Sequence, residues 1–192
     1  MISRVVVATK NPEKAAEVIA VLARVAPAVV IIRDAEWPDV DETGATLMEN
    51  ALLKARVAAA ATGLPCMADD TGLEVDAIGG APGVHAARFA GPGAGYAANR
   101  VALLRALEGV AVRSARFRTV VALVDGPVEV TGEGTLEGTI GTAERGEGGF
   151  GYDPIFEVEG RTLAEHGEDA KNRFSHRAVA IADLFQRLGA MQ

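Results

Sequence analysis

The sequence predicts an α/β fold built around a mixed β-sheet, and two observations support this prediction. Segments typical of strands and helices alternate through the first part of the chain, which is the pattern of parallel βα units. Later, two apolar runs are separated only by Asp125-Gly126-Pro127, which predicts an antiparallel hairpin. No repeat, low-complexity segment or clear linker interrupts the 192 residues, so we predict a single domain over residues 1–192.

Residues 5–25 predict a strand, a polar loop and a helix. The loop Thr9-Lys10-Asn11-Pro12-Glu13-Lys14 follows an apolar strand, with Asn11 as a plausible N-cap and Pro12 at the first helical position. Such a loop favours phosphate, because free backbone N–H groups and the helix dipole face the anion and Lys10 and Lys14 add charge. The alternative is an ordinary capped loop without a ligand.

Residues 28–61 continue the alternation of strand and helix. Residues 28–32 are typical of a strand, and an acidic loop follows at residues 34–44. Thr46 and Glu49 then form a capping box that opens a helix to about residue 61. The loop acids Asp41 and Glu42 are expected to be solvated unless the fold brings them near Asp70.

Two adjacent carboxylates, Asp69 and Asp70, follow the apolar stretch 64–68 and precede Thr71-Gly72. Adjacent strand residues point to opposite faces, so the fold can hold one carboxylate while the other faces a cleft. Acid pairs at the end of a buried strand commonly hold a hard cation such as Mg²⁺. The alternative is a simple turn, since Asp, Thr and Gly all favour turns.

A glycine-rich loop with two aromatic residues occupies residues 148–154. Glycine lets the backbone approach a flat ligand closely, and Phe150 or Tyr152 can stack on such a ligand. The alternative is a turn that places Phe150 in the core. Before this loop, the sequence predicts a helix at residues 96–108 and the two hairpin strands at residues 115–124 and 128–136.

Three basic residues, Lys171, His176 and Arg177, gather at the predicted start of a final helix. The helix dipole disfavours cations at this end, so their placement indicates that they face an anionic or oxygen-rich group. The alternative is a solvated basic turn.

Composition excludes several classes of partner. The net charge is −7 without a basic stripe, which argues against a nucleic-acid polymer. No apolar run approaches the ~20 residues of a membrane span, and no signal peptide is recognisable. The single cysteine, Cys66, precludes an internal disulfide. We therefore expect a cytoplasmic protein.

Common catalytic motifs are also missing. The sequence has no P-loop, no dinucleotide-binding glycine motif, no nucleophile elbow and no histidine pair at zinc-site spacing. What remains is a set of carboxylates, a strand–helix phosphate loop, a glycine-aromatic loop and a basic helix start. Together these features describe a site for a metal-bound nucleotide.

The sequence resembles the inosine/xanthosine triphosphate pyrophosphatase family, whose members clear deaminated purine nucleotides. The matching segments occur in the family's order over nearly the whole chain. They are Thr9 to Lys14, Asp41-Glu42-Thr43-Gly44 continuing through Glu49-Asn50-Ala51 to Lys54-Ala55, Ala68 to Leu73, Gly79 to Gly83 with Arg88, Gly148 to Pro154, and Lys171 with Ser175-His176-Arg177.

The resemblance implies an elongated, two-lobed α/β fold around a long mixed sheet, and a homodimer. It also implies Mg²⁺ as cofactor, held by Asp41 and Asp70, with Asp70 as the proton acceptor. Residues 9–14 would hold the triphosphate, and the later residues would frame base and sugar. The implied substrate-binding residues are Thr9, Lys10, Asn11, Pro12, Glu13, Lys14, Thr71, Phe150, Gly151, Tyr152, Asp153, Lys171, His176 and Arg177.

The implied reaction converts a deaminated purine triphosphate (ITP, dITP or XTP) to the monophosphate and pyrophosphate. Donors from His176, Arg177 or nearby backbone N–H groups would recognise the oxygen at purine position 6. Two alternatives stay open. One is a Mg²⁺ phosphatase acting through an aspartyl-phosphate, although Asp69-Asp70-Thr71 lacks the usual spacing of its two acids. The other is a nucleotide sensor without catalysis.

Overall fold

The computed structural model describes residues 2–191 and has a mixed α/β architecture, with two short 3₁₀ turns at Asp76–Ile78 and Ala86–Arg88. Its strands and helices alternate as the sequence predicts. In chain order they are β1 (Arg4–Val7), α1 (Pro12–Val25), β2 (Val30–Ile32), α2 (Leu47–Thr62), β3 (Cys66–Val75), β4 (Pro82–Gly83), α3 (Tyr96–Ala106), β5 (Ser114–Asp125), β6 (Val128–Ile140), β7 (Phe156–Val158), β8 (Arg161–Thr162), α4 (Leu163–His166), α5 (Glu168–Phe174) and α6 (His176–Ala190).

The strands form one mixed sheet in the order β2-β1-β3-β5-β6-β7-β8, with β4 paired to β3. Strand β1 pairs in parallel with β2 and with β3, which is the arrangement that helical crossovers require. The pairs β3–β4, β6–β7 and β7–β8 are antiparallel. The predicted α/β fold with a mixed sheet is therefore confirmed.

The chain forms two compact units. The first contains the described residues up to 70 together with 119–135 and 175–191. Its core is built from α1, α6 and the strands β1, β3, β5 and β6, with Val21, Leu22, Met67 and Ile181 almost fully buried.

The second unit contains residues 71–118 and 136–174 and has a core of its own. Leu73, Leu103, Ile155 and Phe156 are fully buried there. The rings of Phe117 and Phe156 pack at 4.6 Å between centroids, in a tilted arrangement that aromatic pairs favour.

Helix starts follow the predicted capping chemistry. The Asn11 side chain accepts the N–H groups of Glu13 and Lys14, and Pro12 is the first residue of α1. The capping box of Thr46 and Glu49 is present at the start of α2. Helix α6 begins after Ser175, whose hydroxyl accepts the N–H of Ala178.

Two sequence-based expectations about local structure are wrong. Asp69 and Asp70 lie in the middle of β3 rather than at its end, because pairing in the sheet overrides the turn preference of Asp, Thr and Gly. Lys171 lies in the separate helix α5, which ends at Phe174, so the three basic residues do not share one helix start.

Among residues 2–191, none of the helices combines the length and apolar character that crossing a bilayer demands.

Candidate active site

The loop that joins β1 to α1 uses its own side chains to satisfy its backbone. The N–H of Asn11 donates to Thr9 Oγ1 at 3.2 Å. Asn11 Oδ1 in turn accepts the N–H groups of Glu13 at 2.9 Å and of Lys14 at 3.1 Å. Since Pro12 has no N–H, several helix-start donors that would bind an anion are already satisfied or missing. The lysine side chains are therefore the main donors that this loop could offer to an anion.

The two lysines of this loop have different surroundings. Lys10 pairs with Asp39 at 3.0 Å, in a surface contact where both side chains are largely exposed, and it lies 5.9 Å from the centre of the Trp37 ring. Lys14 is mostly buried, and its Nζ lies 3.6 Å from Asp69 Oδ2. Exposed pairs contribute little to stability, so Lys10 can exchange its partner for a ligand at low cost.

Asp69 is buried among residues of α1 and α6. Its Oδ2 accepts hydrogen bonds from Arg177 Nε at 3.2 Å and Arg177 Nη2 at 3.1 Å. Burial alone would raise the pKa of Asp69, but the positive charges of Lys14 and Arg177 outweigh burial and hold this pKa well below its usual range. Asp69 is therefore a permanently charged carboxylate of the interior.

Asp70 is equally buried but is held by two residues of α2. Lys54 Nζ donates to Asp70 Oδ1 at 2.8 Å, and Asn50 Nδ2 donates to Asp70 Oδ2 at 3.2 Å. The Asn50 amide oxygen also accepts the N–H of Gly44 at 2.8 Å, which ties the acidic loop to the same carboxylate. Both oxygens of Asp70 are thus oriented, and each keeps a further lone pair for a proton.

The two adjacent carboxyls have pKa values displaced in opposite directions. Burial raises the pKa of Asp70 above its ordinary value, although Lys54 opposes this effect. Burial would lower the pKa of Lys54, but the carboxylates of Asp70 and Glu42 outweigh it and raise that pKa, so the ammonium group stays charged. Neighbouring acids with divergent pKa values are a mark of acid–base sites, in which the group with the raised pKa accepts or donates the proton.

The carboxylates of Asp70 and Glu42 offer a pair of oxygens that could hold a divalent cation. Asp70 Oδ1 and Glu42 Oε1 each lie 2.8 Å from Lys54 Nζ, so two carboxylates from distant parts of the chain converge on one positive group. Among residues 2–191, no group of three or more histidine, cysteine or acidic side chains is arranged to hold a metal ion. A two-carboxylate site fits Mg²⁺ in particular, which keeps several waters and takes further oxygens from substrate phosphates.

Asp41, the second predicted metal contact, lies exposed on the same acidic loop, and its carbonyl accepts the N–H of Thr43. Its contact with a metal stays a prediction. The neighbouring Glu42 is the loop carboxylate that the structure brings to Lys54 and Asp70.

His176 and Arg177 are both buried in the first unit. The His176 Nδ1 lies 2.6 Å from Thr119 Oγ1, which fixes the imidazole ring. Arg177 is only 1% exposed, with Nη1 2.7 Å from Glu17 Oε2 and Nη2 on Asp69. Its guanidinium therefore bridges two buried carboxylates, Glu17 and Asp69.

The second unit brings together four of the residues predicted to bind substrate, Phe150, Gly151, Asp153 and Lys171. Asp153 Oδ2 accepts the N–H of Phe150 at 2.9 Å and the ammonium of Lys171 at 2.7 Å. Lys171 Nζ also lies 4.8 Å from the centre of the Phe150 ring, and the Gly151 carbonyl accepts Arg100 Nη1 at 2.9 Å.

The glycine-aromatic loop is locked by this arrangement. Gly149 has a φ of +70°, and a Cβ there would lie 2.1 Å from Asp153 Oδ2. Tyr152 points into the core of the second unit, where its O–H donates to the Ala86 carbonyl at 2.8 Å.

The remaining residue predicted to contact substrate, Thr71, is half-buried in β3.

Comparison with known proteins decides the family. The sequence model of the Ham1 family matches residues 5–187. The chain belongs to the Ham1 family. Many curated relatives of this chain bear the name dITP/XTP pyrophosphatase. That of Xanthomonas oryzae pv. oryzae is 48% identical over 193 residues, 97% of each chain. That of Porphyromonas gingivalis is 49% identical over 184 residues, 94% of this chain and 95% of its own. The predicted family membership is therefore confirmed.

Solved Ham1 structures share the fold. A HAM1 protein from Coxiella burnetii superposes with a TM-score of 0.86 at 41% identity, covering 99% of this chain and 100% of that one. A structure from Mycobacterium abscessus, described as a nucleoside-triphosphatase and dITP/XTP pyrophosphatase, gives a TM-score of 0.72 at 40% identity, with 98% coverage of each chain.

Several residues of this Ham1 chain escaped the sequence-based site prediction. Glu17, Asn50 and Lys54 hold Arg177 and Asp70 directly, yet none was predicted as a site residue. Lys54 and Asn50 lie four apart on α2, which places them on one helix face, and this spacing is a signal that was available. Glu17 lies three residues after Lys14 on α1, again on the same face.

Proposed function

We propose that this Ham1 protein is a Mg²⁺-dependent nucleoside triphosphate pyrophosphatase. It hydrolyses deaminated purine nucleoside triphosphates, namely ITP, dITP and XTP, to the monophosphate and pyrophosphate, and so removes them from the nucleotide pool. The names of its full-length relatives support this substrate class. Its own residues support the reaction type.

The setting of Asp70 is the observation that carries the proposal. A general base for water needs a fixed orientation and a pKa closer to neutrality than that of an exposed carboxyl. Asp70 has its two oxygens held by Lys54 and Asn50, and burial raises its pKa. Its neighbour Asp69 is instead tied up in ion pairs. In this assignment Asp70 takes the proton from the water that attacks phosphorus.

The positive residues of the first unit bind the polyphosphate. Thr9, Asn11, Pro12 and Glu13 shape the loop and its cap, while Lys10 and Lys14 supply the charges that contact phosphate oxygens. Lys10 gives up its exposed pairing with Asp39 when phosphate binds. Lys14 approaches the anion from its partly buried position beside Asp69.

When bound, Mg²⁺ would neutralise phosphate charge and polarise the anhydride bond that is cleaved. Asp70 would hold it, together with Asp41 or Glu42 of the acidic loop.

Recognition of base and sugar falls to Thr71, Phe150, Gly151, Tyr152, Asp153, Lys171, His176 and Arg177. Phe150 offers a ring for stacking and has its backbone N–H fixed by Asp153. Donors from His176, Arg177 or nearby backbone N–H groups recognise the oxygen at purine position 6, an acceptor that adenine lacks. A site built to hydrogen-bond this oxygen can reject the wrong base by up to ~10⁴-fold, because its own donor is left unpaired. The enzyme is further proposed to be a single cytoplasmic domain that acts as a homodimer.

A panel of triphosphates tests the function. The protein is incubated with ITP, dITP, XTP, ATP and GTP in the presence of Mg²⁺, and pyrophosphate and orthophosphate are measured separately. We expect pyrophosphate from the deaminated substrates, strong preference over ATP, and no turnover after addition of excess chelator.

Two results would point elsewhere. Release of orthophosphate with a trapped phosphoenzyme would identify an aspartyl-phosphate phosphatase. Binding of nucleotide without any hydrolysis would identify a sensor.

A further inference from the structure

Glu17 is a buried carboxylate that the proposed reaction does not use. It lies on α1, one helical turn beyond Lys14, and is 7% exposed. Its Oε2 lies 2.7 Å from Arg177 Nη1, and its Oε1 accepts the hydroxyl of Ser175 at 3.1 Å. Both oxygens thus contact the start of α6. Burying this carboxylate costs considerable desolvation energy, so a functional role for Glu17 is worth testing.

A series of contacts connects Glu17 to Lys14, one of the two lysines proposed to bind the polyphosphate. Arg177 lies between Glu17 on one side and Asp69 on the other, and Asp69 Oδ2 is shared between Arg177 and Lys14. Charges therefore alternate along Glu17, Arg177, Asp69 and Lys14, with two of each sign. All four residues belong to the first unit. We call them the four-charge chain.

We propose that Glu17 is a positioning residue for polyphosphate binding: it holds the Arg177 guanidinium, and through Asp69 it fixes the ammonium group of Lys14. The inference rests on the proposed function, since it assigns Lys14 to the phosphates. Without the Glu17 charge, Arg177 is balanced by Asp69 alone, so Asp69 holds Lys14 less firmly. Lys14 must then be ordered when the anion binds, and that ordering weakens binding.

Binding of inorganic tripolyphosphate tests this directly, because the probe has no base and is measured by calorimetry without turnover. Glu17→Gln removes the charge while keeping size and an acceptor for Ser175. Loss of the group that orients a metal ligand typically costs about 10- to 100-fold in metal affinity, and we expect a comparable loss of tripolyphosphate affinity here. Glu129→Gln is the matched control, since Glu129 pairs with Arg56 at an exposed position of the same unit, and it should change the Kd less than about twofold.

A double-mutant cycle separates positioning from a general loss of structure. If Glu17 acts through Lys14, then Glu17→Gln should have almost no further effect in a Lys14→Gln background. With dITP as substrate, Glu17→Gln should raise KM more than it lowers kcat. A purely structural role would lower the folded fraction, and hence the apparent kcat, at constant KM. Glu17→Asp keeps the charge on a shorter side chain and should restore part of the affinity.

Several outcomes would refute the positioning role of Glu17. Equal Kd values for wild type and Glu17→Gln, or additive effects of Glu17→Gln and Lys14→Gln, would overturn the positioning role while leaving the pyrophosphatase proposal intact. Failure of the wild type to bind tripolyphosphate would overturn the phosphate role of Lys14 and the positioning role with it, while the triphosphate panel tests the pyrophosphatase activity separately. If circular dichroism shows that Glu17→Gln is unfolded, the same comparison is made with Glu17→Asp, where unchanged affinity would refute the assignment.

Discussion

Asp70 is the residue on which the chemistry depends most. Asp70→Asn is nearly isosteric, but the amide has only one acceptor oxygen for Lys54 and Asn50, and it takes no proton from water. A positioned base contributes ~10²–10⁴-fold, so kcat should fall at least that far while the protein stays folded. Steady-state kinetics with dITP measures the loss. Asp183→Asn, which removes the carboxylate beside Arg187 on the surface, is the control, and activity of Asp70→Asn within a few-fold of it would exclude Asp70 as base.

Tyr152 gives the second unit a pH-dependent contribution to stability. Its O–H donates to the Ala86 carbonyl, and burial raises the pKa of the phenol above its ordinary value. A raised pKa means that the folded state favours the protonated form. The stabilisation is therefore complete below the ordinary value of ~10 and is lost as the pH rises through the folded pKa.

The Tyr152→Phe variant isolates this contribution. It should be less stable than wild type by about 1 kcal/mol at neutral pH, because the Ala86 carbonyl loses its donor. The gap should narrow above about pH 10, because the exposed phenol of the unfolded wild type ionises there while the buried phenol stays protonated, which favours unfolding. Urea unfolding across this pH range measures it, and a gap that stays constant or widens would contradict the assignment.

At the scale of elements, the close approach of α6 to β6 places Ser175, His176 and Arg177. Gly134 of β6 makes this approach feasible, since a Cβ there would lie 2.0 Å from the His176 carbonyl and 2.5 Å from the Ala180 nitrogen. Both neighbours are backbone atoms, so the helix itself would have to move. Gly134→Ala should therefore lower the free energy of unfolding by about 1–3 kcal/mol or more.

The control for this substitution lies on α6 itself. A Cβ at Gly189 meets no atom within 4 Å, so Gly189→Ala should be neutral or stabilise the helix by up to ~1 kcal/mol. Thermal unfolding of both variants gives the comparison. Equal melting temperatures would show that α6 does not need the glycine at position 134.

Elements with local signals were predictable, and those set by the sheet were not. Asn11, Thr46 and the hairpin turn mark their elements through contacts between near neighbours in sequence. The sequence predicts the start of β3 but not its continuation beyond Asp70, because neighbouring strands hold its turn-prone centre extended. Gly134 carries no signal of its own, since the helix that it contacts lies more than forty residues further along the chain.

For the molecule as a whole, fold class and family followed from the sequence because many short motifs occurred together in one order. The sequence gives candidate site residues, but it does not give the contacts between them. Asp69 meets Arg177 across 108 positions, and Glu17 meets Ser175 across 158. No periodicity or spacing in the sequence reports such pairings, so the contact between Glu17 and Arg177 has no signal in the sequence.

The four-charge chain also bears on how this sequence can change over generations. Loss of Arg177 leaves Glu17 buried without its cation, which is strongly unfavourable, whereas loss of Glu17 and Arg177 together leaves Asp69 paired with Lys14. Divergence at Glu17 and Arg177 should therefore proceed by coupled replacement: a lineage that loses Arg177 should soon lose Glu17 as well or regain Arg177. At positions 17 and 177, the balance of charge should therefore persist among relatives for longer than the identity of either residue.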